Sequence, residues 1–285
     1  MSAAPEISDI TIREINELAE MRAVEELQKE TWGIPDLDVV PLTQLVAAKE
    51  AGGVLIGAFD GETLAGFVYG FPSFERGGLA HHSHMLAVKP AYRNYDLGRR
   101  LKLAQREHVI AQGIGLISWT FDPLQSLNAH FNFGKLGVLA DRYFVNFYGE
   151  DAPSFLHQTG TDRLWVSWLV SSERVKERMT GINYSAPSNL GLPLVQVEAD
   201  DSSRRNDLDE GLAQDHAVLE IPSNIDALPR ETGLRWREDT RWAFTEALKA
   251  GYFVDGFVRE TRDDKRIGKY ILSRKKAHKA QKEDD

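Results

Sequence analysis

The order of hydrophobic and polar residues over positions 10–170 predicts a mixed α/β fold. Residues 10–15 alternate between apolar and polar side chains, which indicates a half-buried strand. Asp60-Gly61 stands between two apolar runs, which is typical of a β-hairpin. The pattern predicts strands at 10–15, 54–59, 64–71, 79–88, 116–121, 138–147 and 164–170, and helices at 17–32, 41–48, 97–112 and 126–136. This order, β-α-α-β-β-β-α-β-α-β-β, is typical of a mixed sheet with helices packed against it.

A second pattern begins after Val170. A charged helix at 171–179 leads into residues 185–215, whose Ser, Pro, Gly and Asp content predicts a loop, with a strand at Leu194-Val195 left open. A strand at 218–221, a helix at 231–250 and a strand pair at 252–258 and 270–272 follow. We therefore expect four segments: a domain at 1–181, a linker or long loop at 182–215, an additional C-terminal α/β half-domain at 216–273, and a charged tail at 274–285.

Charge and composition exclude several classes of function. The chain carries 34 basic and 43 acidic side chains, a formal net charge of −9, which argues against a nucleic-acid partner because such binding depends on neutralised phosphates. The absence of cysteine excludes disulfides, zinc–thiolate sites and a cysteine nucleophile, and no metal site is predicted. Since no apolar run is long enough to cross a bilayer and no signal peptide is visible, we expect a cytoplasmic protein with no membrane partner.

The most informative stretch runs from His82 to Arg100 and reads as an apolar strand, a polar turn and the start of a helix. Such a turn presents backbone N–H groups and the positive end of a helix dipole to one small region, which favours a phosphate ligand. Basic residues around it indicate a compact anionic ligand, although a solvated basic helix face explains them equally well. They are Lys89, Arg93, Arg99, Arg100, Lys102 and Arg106.

The run from Leu86 to Gly98, Leu-Ala-Val-Lys-Pro-Ala-Tyr-Arg-Asn-Tyr-Asp-Leu-Gly, resembles the coenzyme A-binding segment of the GCN5-related N-acetyltransferase (GNAT) superfamily. That segment reads apolar-x-Val-x-Pro-x-x-Arg/Gln-x-x-Gly-x-Gly/Ala, and its backbone amides hold the pyrophosphate of coenzyme A. The element order over 10–170 is similar to the GNAT fold as well. The resemblance implies a pantetheine contact at Leu86, Ala87 and Val88, and a phosphate cradle at Arg93, Asn94, Asp96, Leu97, Gly98 and Arg99.

Two positions of this run depart from the family pattern. Asp96 replaces the expected glycine, and Asn94 replaces a frequent one. Asn and Asp are the non-glycine residues that best tolerate a positive φ, so the sequence predicts a positive φ at position 96. A carboxylate opposes pyrophosphate binding unless it points away or pairs with Arg99 or Arg100.

Two histidines precede the turn. By the period of two along a strand, His82 and His84 are predicted to share one sheet face with Leu86 and Val88. A neutral imidazole accepts a proton from an attacking ammonium near pH 7. The pattern His-x-His-x-Leu-Ala-Val resembles that of the arylalkylamine N-acetyltransferases, which implies proton removal by this pair. The alternative is two histidines satisfied by polar neighbours at the start of a strand.

Residues 128–137 imperfectly resemble the family's Asn-x-x-Ala-x-x-x-Tyr-x-x-x-Gly-Phe helix. The tyrosine that protonates the leaving thiolate in many members falls at Phe133, which cannot donate a proton. Either another group protonates the thiolate or it leaves unassisted. The resemblance implies that Asn128 and Asn132 contact the cofactor arm or polarise the thioester, with helix capping as the alternative for Asn128. For Asp122 we favour a turn over an amine contact.

The resemblance implies an acyl-CoA-dependent N-acyltransferase. We expect direct transfer from acetyl-CoA or another acyl-CoA, such as succinyl-CoA, to a primary amine of a small molecule, with amino acids among the candidates. Two alternatives stay open: a catalytically weak, GNAT-like CoA-binding or regulatory module, and a protein N-acetyltransferase. The C-terminal half-domain is expected either to close over the acceptor site or to form a homodimer.

Overall fold

A computed structural model describes residues 10–93, 95–149, 159–182 and 184–274. Within them the chain forms two compact units, and each is described by itself. The first unit contains residues 10–93, 95–119 and 167–176, and the second contains 120–149, 159–166, 177–182 and 184–274. The four segments predicted from the sequence divide the chain at other places and stay a prediction about its domains.

The first unit is built on strands in the order β1-β2-β3-β4-β5. All neighbours are antiparallel except β4 and β5, which are parallel, so the predicted mixed sheet is confirmed. The elements are β1 (Ile10–Glu14), α1 (Leu18–Trp32), α2 (Leu42–Glu50), β2 (Val54–Asp60), β3 (Thr63–Glu75), β4 (Gly78–Val88), α3 (Leu97–Ala111) and β5 (Leu116–Phe121), with 3₁₀ turns at Asp36–Asp38 and Pro90–Tyr92.

The helices cover the two faces of this sheet. The apolar stripes of α1 and α2 pack on one face because their spacing places one side chain per turn toward the strands. Helix α3 packs against β2, β3 and β4 on the opposite face, where it contacts Ser83. The core of the α1/α2 face contains Met21, Val24, Leu27, Leu45, Ala48, Leu55, Phe67, Tyr69 and Ala87.

The second unit has strands in the order β7-β6-β11-β12-β10 and a separate β8–β9 pair. Its long helix α7 buries Trp236, Ala243, Phe244 and Ala247, which form one face of the helix. The division between the units falls within β5 and β7. The elements are α4 (Ser126–Ala129), a π-helix (His130–Leu136), β6 (Leu139–Phe144), β7 (Arg163–Leu169), α5 (Glu173–Met179), β8 (Val195–Val197), β9 (Ser203–Arg205), α6 (Leu208–Gly211), β10 (His216–Pro222), a 3₁₀ turn (Ile225–Ala227), α7 (Arg230–Lys249), β11 (Tyr252–Arg262) and β12 (Lys265–Arg274).

The second unit differs from the expected pattern in two places. The predicted helix at 126–136 is one α-helical turn followed by the π-helix, in which the carbonyl of Asn132 accepts from the N–H of Gly137, five residues on. The predicted loop at 185–215 contains β8, β9 and α6, and β8 begins at the apolar pair Leu194-Val195. Among the described residues, no helix is both long and apolar enough to cross a membrane.

Candidate active site

The histidine strand contains a β-bulge. Tyr69 of β3 pairs with Met85, whereas Gly70 pairs with Ser83, so His84 is an extra residue on β4. The bulge places His84 and Met85 on the same face and resets the alternation after them. Met85 packs on the α1/α2 core, whereas the side chain of Leu86 points to Gly98 of α3. The prediction that the histidines share a face with Leu86 and Val88 is therefore wrong, because a bulge interrupts the period of two.

The two histidines lie together among aromatic rings on the α1/α2 face. The ring of Phe71 is 5.6 Å from that of His82 and 5.7 Å from that of His84, and the two imidazoles are 6.3 Å apart. Tyr69 lies against His84 at 6.0 Å. This arrangement confirms that the two histidines are neighbours, while a role in proton transfer stays a prediction.

Both imidazoles are in the neutral form at pH 7. Burial, followed by the charges of His84 and Lys102, lowers the pKa of His82 to about 4. Burial of the ring also lowers the pKa of His84, although the residue as a whole is exposed. A neutral imidazole has a free lone pair, so either ring can accept a proton, and the lowered pKa makes each a weaker base than a free histidine.

Strand β4 has an opening on its β5 side. Within the described residues the two strands pair at two positions only, His81 with Ile117 and His82 with Ser118. From Ser83 onward, therefore, the backbone of β4 is not bonded to β5 on this side. Leu86, Ala87 and Val88, predicted to contact a pantetheine arm, lie on this part of the strand. Only their backbone groups share this edge, since the Ala87 side chain is buried in the α1/α2 core.

The start of α3 has the backbone shape that the sequence predicts. Asp96 has φ 54° and ψ 21°, so the expected positive φ is confirmed. Its carboxylate is 3.8 Å from the guanidinium of Arg99, whereas Arg100 donates to the carbonyl of Ile10 at 2.6 Å. The first N–H groups of an α-helix generally have no partner within the helix, and anion binding by the first turn of α3 stays a prediction.

The other cradle residues are placed as follows. Arg93 is exposed, and Asn94 lies outside the described residues. The side chain of Leu97 is fully buried, so this residue can offer a ligand only its backbone. The predicted basic cluster is not a single surface: Lys89 pairs with Glu30 at 3.1 Å, and Arg106 donates to the carbonyl of Val170 at 2.8 Å.

Sequence reasoning missed a buried polar group behind the histidines. Lys102, grouped with the basic residues around the turn, is only 2% exposed and contacts Ser83 of β4. Gln105 and His81, both fully buried, complete the group. The spacing along α3 could have indicated this burial. Leu101, Gln105 and Val109 form a buried stripe on the helix, and position 102 lies at the edge of that stripe.

The remaining predicted residues belong to the second unit. Asn128 is exposed and Asn132 is buried. Phe133 is a core residue between Phe121 at 6.2 Å and Tyr270 at 5.8 Å, which explains why a phenylalanine suits this position. For Asp122 the favoured turn is confirmed, since its Oδ1 accepts from the N–H of Leu124 at 2.9 Å. Both of its carboxylate oxygens also bind Arg237.

Residues 16–137 match the family model described as the acetyltransferase (GNAT) family. No curated protein sequence matches the chain. Among solved structures, a protein described as a GNAT-family acetyltransferase from Desulfovibrio desulfuricans is 17% identical with a TM-score of 0.47, and the match covers 57% of this chain and 99% of that one.

Two further structures have similar values. The ribosomal-protein-S18-alanine N-acetyltransferase of Escherichia coli is 13% identical with a TM-score of 0.46, over 57% of this chain and 95% of that one. The aminoglycoside 6′-N-acetyltransferase of Enterococcus faecium is 18% identical with a TM-score of 0.43, over 57% and 98%. At such values these likenesses indicate no substrate for this chain.

Proposed function

Because residues 16–137 belong to the GNAT acetyltransferase family, we propose that the chain transfers an acyl group from an acyl-CoA to a primary amine of a small molecule. One observation carries the proposal. The bulged strand β4 bears two neutral histidines on one face, opens toward β5 beside them, and leads directly to the N-terminus of α3. This arrangement supports a proton acceptor and an anion site along one strand.

The residues present fit coenzyme A. The left-handed Asp96 turns the chain so that the first amides of α3 and the side chain of Arg99 can hold a pyrophosphate. The Asp96 carboxylate is unfavourable there, and its pairing with Arg99 offsets part of its charge. Exposed Arg93 adds a second guanidinium on the same turn. Bound acyl-CoA supplies the activated acyl group as a thioester.

The histidines support the acceptor half of the reaction. An amine reaches the site as an ammonium ion and must lose a proton before it can attack a carbonyl carbon. His82 and His84 are neutral at pH 7 and can take that proton directly or through a water molecule. The rings of Tyr69 and Phe71 pack against them. We infer direct transfer, since the chain has no cysteine to form a thiol acyl-enzyme.

The second candidate is a CoA-binding module with weak or no catalysis. Asp96 in the cradle and Phe133 in place of a proton-donating tyrosine favour it, and the histidine pair argues against it. A protein acceptor, a succinyl donor, a cytoplasmic location and a homodimer remain predictions from the sequence.

Thiol release separates these possibilities. The purified protein is incubated with acetyl-CoA or succinyl-CoA and pools of amino acids, other small amines or peptides, and free thiol is measured. We expect release with one small-amine pool and a loss of about a hundredfold in kcat for the His82→Gln, His84→Gln double variant. Thermal stabilisation by acetyl-CoA without thiol release would favour the binding module. No stabilisation and no release would refute CoA binding altogether.

A further inference from the structure

A buried lysine with no carboxylate partner among the described residues lies behind the histidine strand. Lys102 is 2% exposed, and its described contacts are the hydroxyl of Ser83 at 2.6 Å, the Oε1 of Gln105 at 3.2 Å and the ring of Trp119 at 3.7 Å. None of these groups is an anion. Lysines are almost never fully buried unless they are paired, because burying an ammonium is costly, so this placement calls for a functional explanation.

The position of this lysine relates it to the opening between β4 and β5. The last paired residues are His82 and Ser118. Ser83 and Trp119, the next residue on each strand, are therefore the first at which the two strands no longer pair. Lys102 contacts both Ser83 and Trp119. It therefore lies at the start of the opening, on the opposite sheet face from the imidazoles of His82 and His84.

The hydrogen bonds form a chain along this side of the strand. Lys102 donates to Ser83, and Ser83 donates to Oε1 of Gln105 at 2.9 Å. The amide nitrogen of Gln105 is 3.2 Å from Nε2 of His81. Burial lowers the pKa of Lys102 well below 10.5. The other titratable groups near these hydrogen bonds are His81, His82 and His108. Burial, followed by the charge of Lys102, lowers the pKa of His81 to about 3.

We propose that Ser83 and Lys102 form the proton relay that neutralises the departing thiolate of coenzyme A, in the role that Phe133 cannot fill; this inference rests on the proposed acyl transfer. The carbon–sulfur bond breaks and its electron pair stays on sulfur. The sulfur takes the proton of the Ser83 hydroxyl, and Ser83 takes one from the Lys102 ammonium. Lys102 is left as a neutral amine and regains a proton from solvent before the next turnover, while the proton of the acceptor ammonium leaves through the histidines.

Two phenols of the second unit do not supply this proton. The hydroxyl of Tyr143 donates to Asp162 at 2.7 Å, and that of Tyr270 donates to the carbonyl of Pro123 at 2.7 Å. Burial raises the pKa of both well above 10, which makes them poor acids. Lys102 differs from them because burial without a counter-ion makes an ammonium more acidic rather than less.

The first test needs no coenzyme A. Protonation of Lys102 changes the cation over the ring of Trp119, so tryptophan fluorescence is titrated from pH 6 to 10 in the wild type and in Lys102→Met and Trp119→Phe. We expect one transition in the wild type that both variants lack. The absence of such a transition in the wild type would overturn the relay, whatever the protein is found to catalyse.

The second test measures kcat with acetyl-CoA against pH. In the wild type, kcat should fall as pH rises through the fluorescence transition, because the relay needs the ammonium form. Lys102→Met and Ser83→Ala should each lower kcat by about a hundredfold at an unchanged KM for acetyl-CoA. Glu107→Gln, on the exposed face of the same helix, is the control and should keep the wild-type kcat. Ser83→Ala removes a single oxygen, so it serves if Lys102→Met does not fold.

The outcomes are distinct. Wild-type kcat in Ser83→Ala or in a folded Lys102→Met would refute the relay while acyl transfer stands. A wild-type kcat that does not fall through the fluorescence transition would refute it too. A wild-type protein that releases no thiol with any amine would refute the proposed function, even if the fluorescence transition is found.

Discussion

The guanidinium of Arg237 binds both carboxylate oxygens of Asp122, at 2.8 and 2.7 Å, inside the second unit. Arg237 is 2% exposed, and the charge of Asp122 contributes to raising its pKa despite burial. Removing one partner leaves a buried charge without its counter-ion. We therefore predict that Arg237→Met lowers the free energy of unfolding by about 3–5 kcal/mol, measured by urea denaturation.

The control for this prediction is a surface pair of the same unit. Arg204 bonds Glu198, and both side chains are exposed, so Arg204→Met should cost less than about 1 kcal/mol. Equal costs for the two variants would mean that the Arg237 pair contributes no more than a surface contact.

Stability should decline in mild acid because of His81. Burial lowers its pKa from 6.5 to about 3, so below pH 6.5 the unfolded chain binds a proton that the folded chain does not. The free energy of unfolding then falls as pH falls, by on the order of 1 kcal/mol per pH unit from this residue. Urea unfolding at pH 7.5, 6.0 and 5.0 should show a shallower slope in His81→Gln. An unchanged slope would contradict the buried, neutral state.

Gly70 should not tolerate a side chain. A Cβ at this position would lie 2.4 Å from Nε2 of His81 and 2.6 Å from the carbonyl oxygen of His82. We expect Gly70→Ala to destabilise the protein by about 1–3 kcal/mol through overpacking. Gly78→Ala, on the same hairpin, is the control because a Cβ there meets nothing within 4 Å. Thermal unfolding of the two variants compares them directly, and similar midpoints would argue against the close approach at Gly70.

Replacing Asp96 by glycine should tighten the binding of coenzyme A. The substitution keeps the positive φ and removes a carboxylate beside the proposed pyrophosphate site. The expected gain is about 1 kcal/mol, or roughly fivefold in Kd by calorimetry. Asp263→Gly removes another aspartate with a positive φ, in the turn between β11 and β12, and should leave Kd unchanged. Weaker binding by Asp96→Gly would show that the carboxylate helps to form the cradle through Arg99.

The sequence predicts what depends on local chemistry. The positive φ at Asp96 is predicted because this aspartate replaces the glycine of the family pattern and aspartate tolerates a positive φ. The strand at Val195 follows from an apolar pair within a polar segment. The burial of Lys102 is not predicted, because a charged residue at the edge of an apolar stripe is typical of a surface position. The π-helix at His130–Leu136 has no such local signal, since a shift from i+4 to i+5 bonding leaves the composition unchanged.

The bulge at His84 has a consequence for the length of the chain. One added residue sets the phase of everything that follows on β4, so that Ala87 meets the α1/α2 core and Leu86 meets α3. Deleting His84 would rotate this segment by half a turn and exchange those two contacts. A substitution at the same position keeps the phase. The number of residues in β4 therefore constrains the fold independently of the imidazole of His84. In a sequence alignment, a gap placed at this position would assign every later residue of the strand to the opposite face.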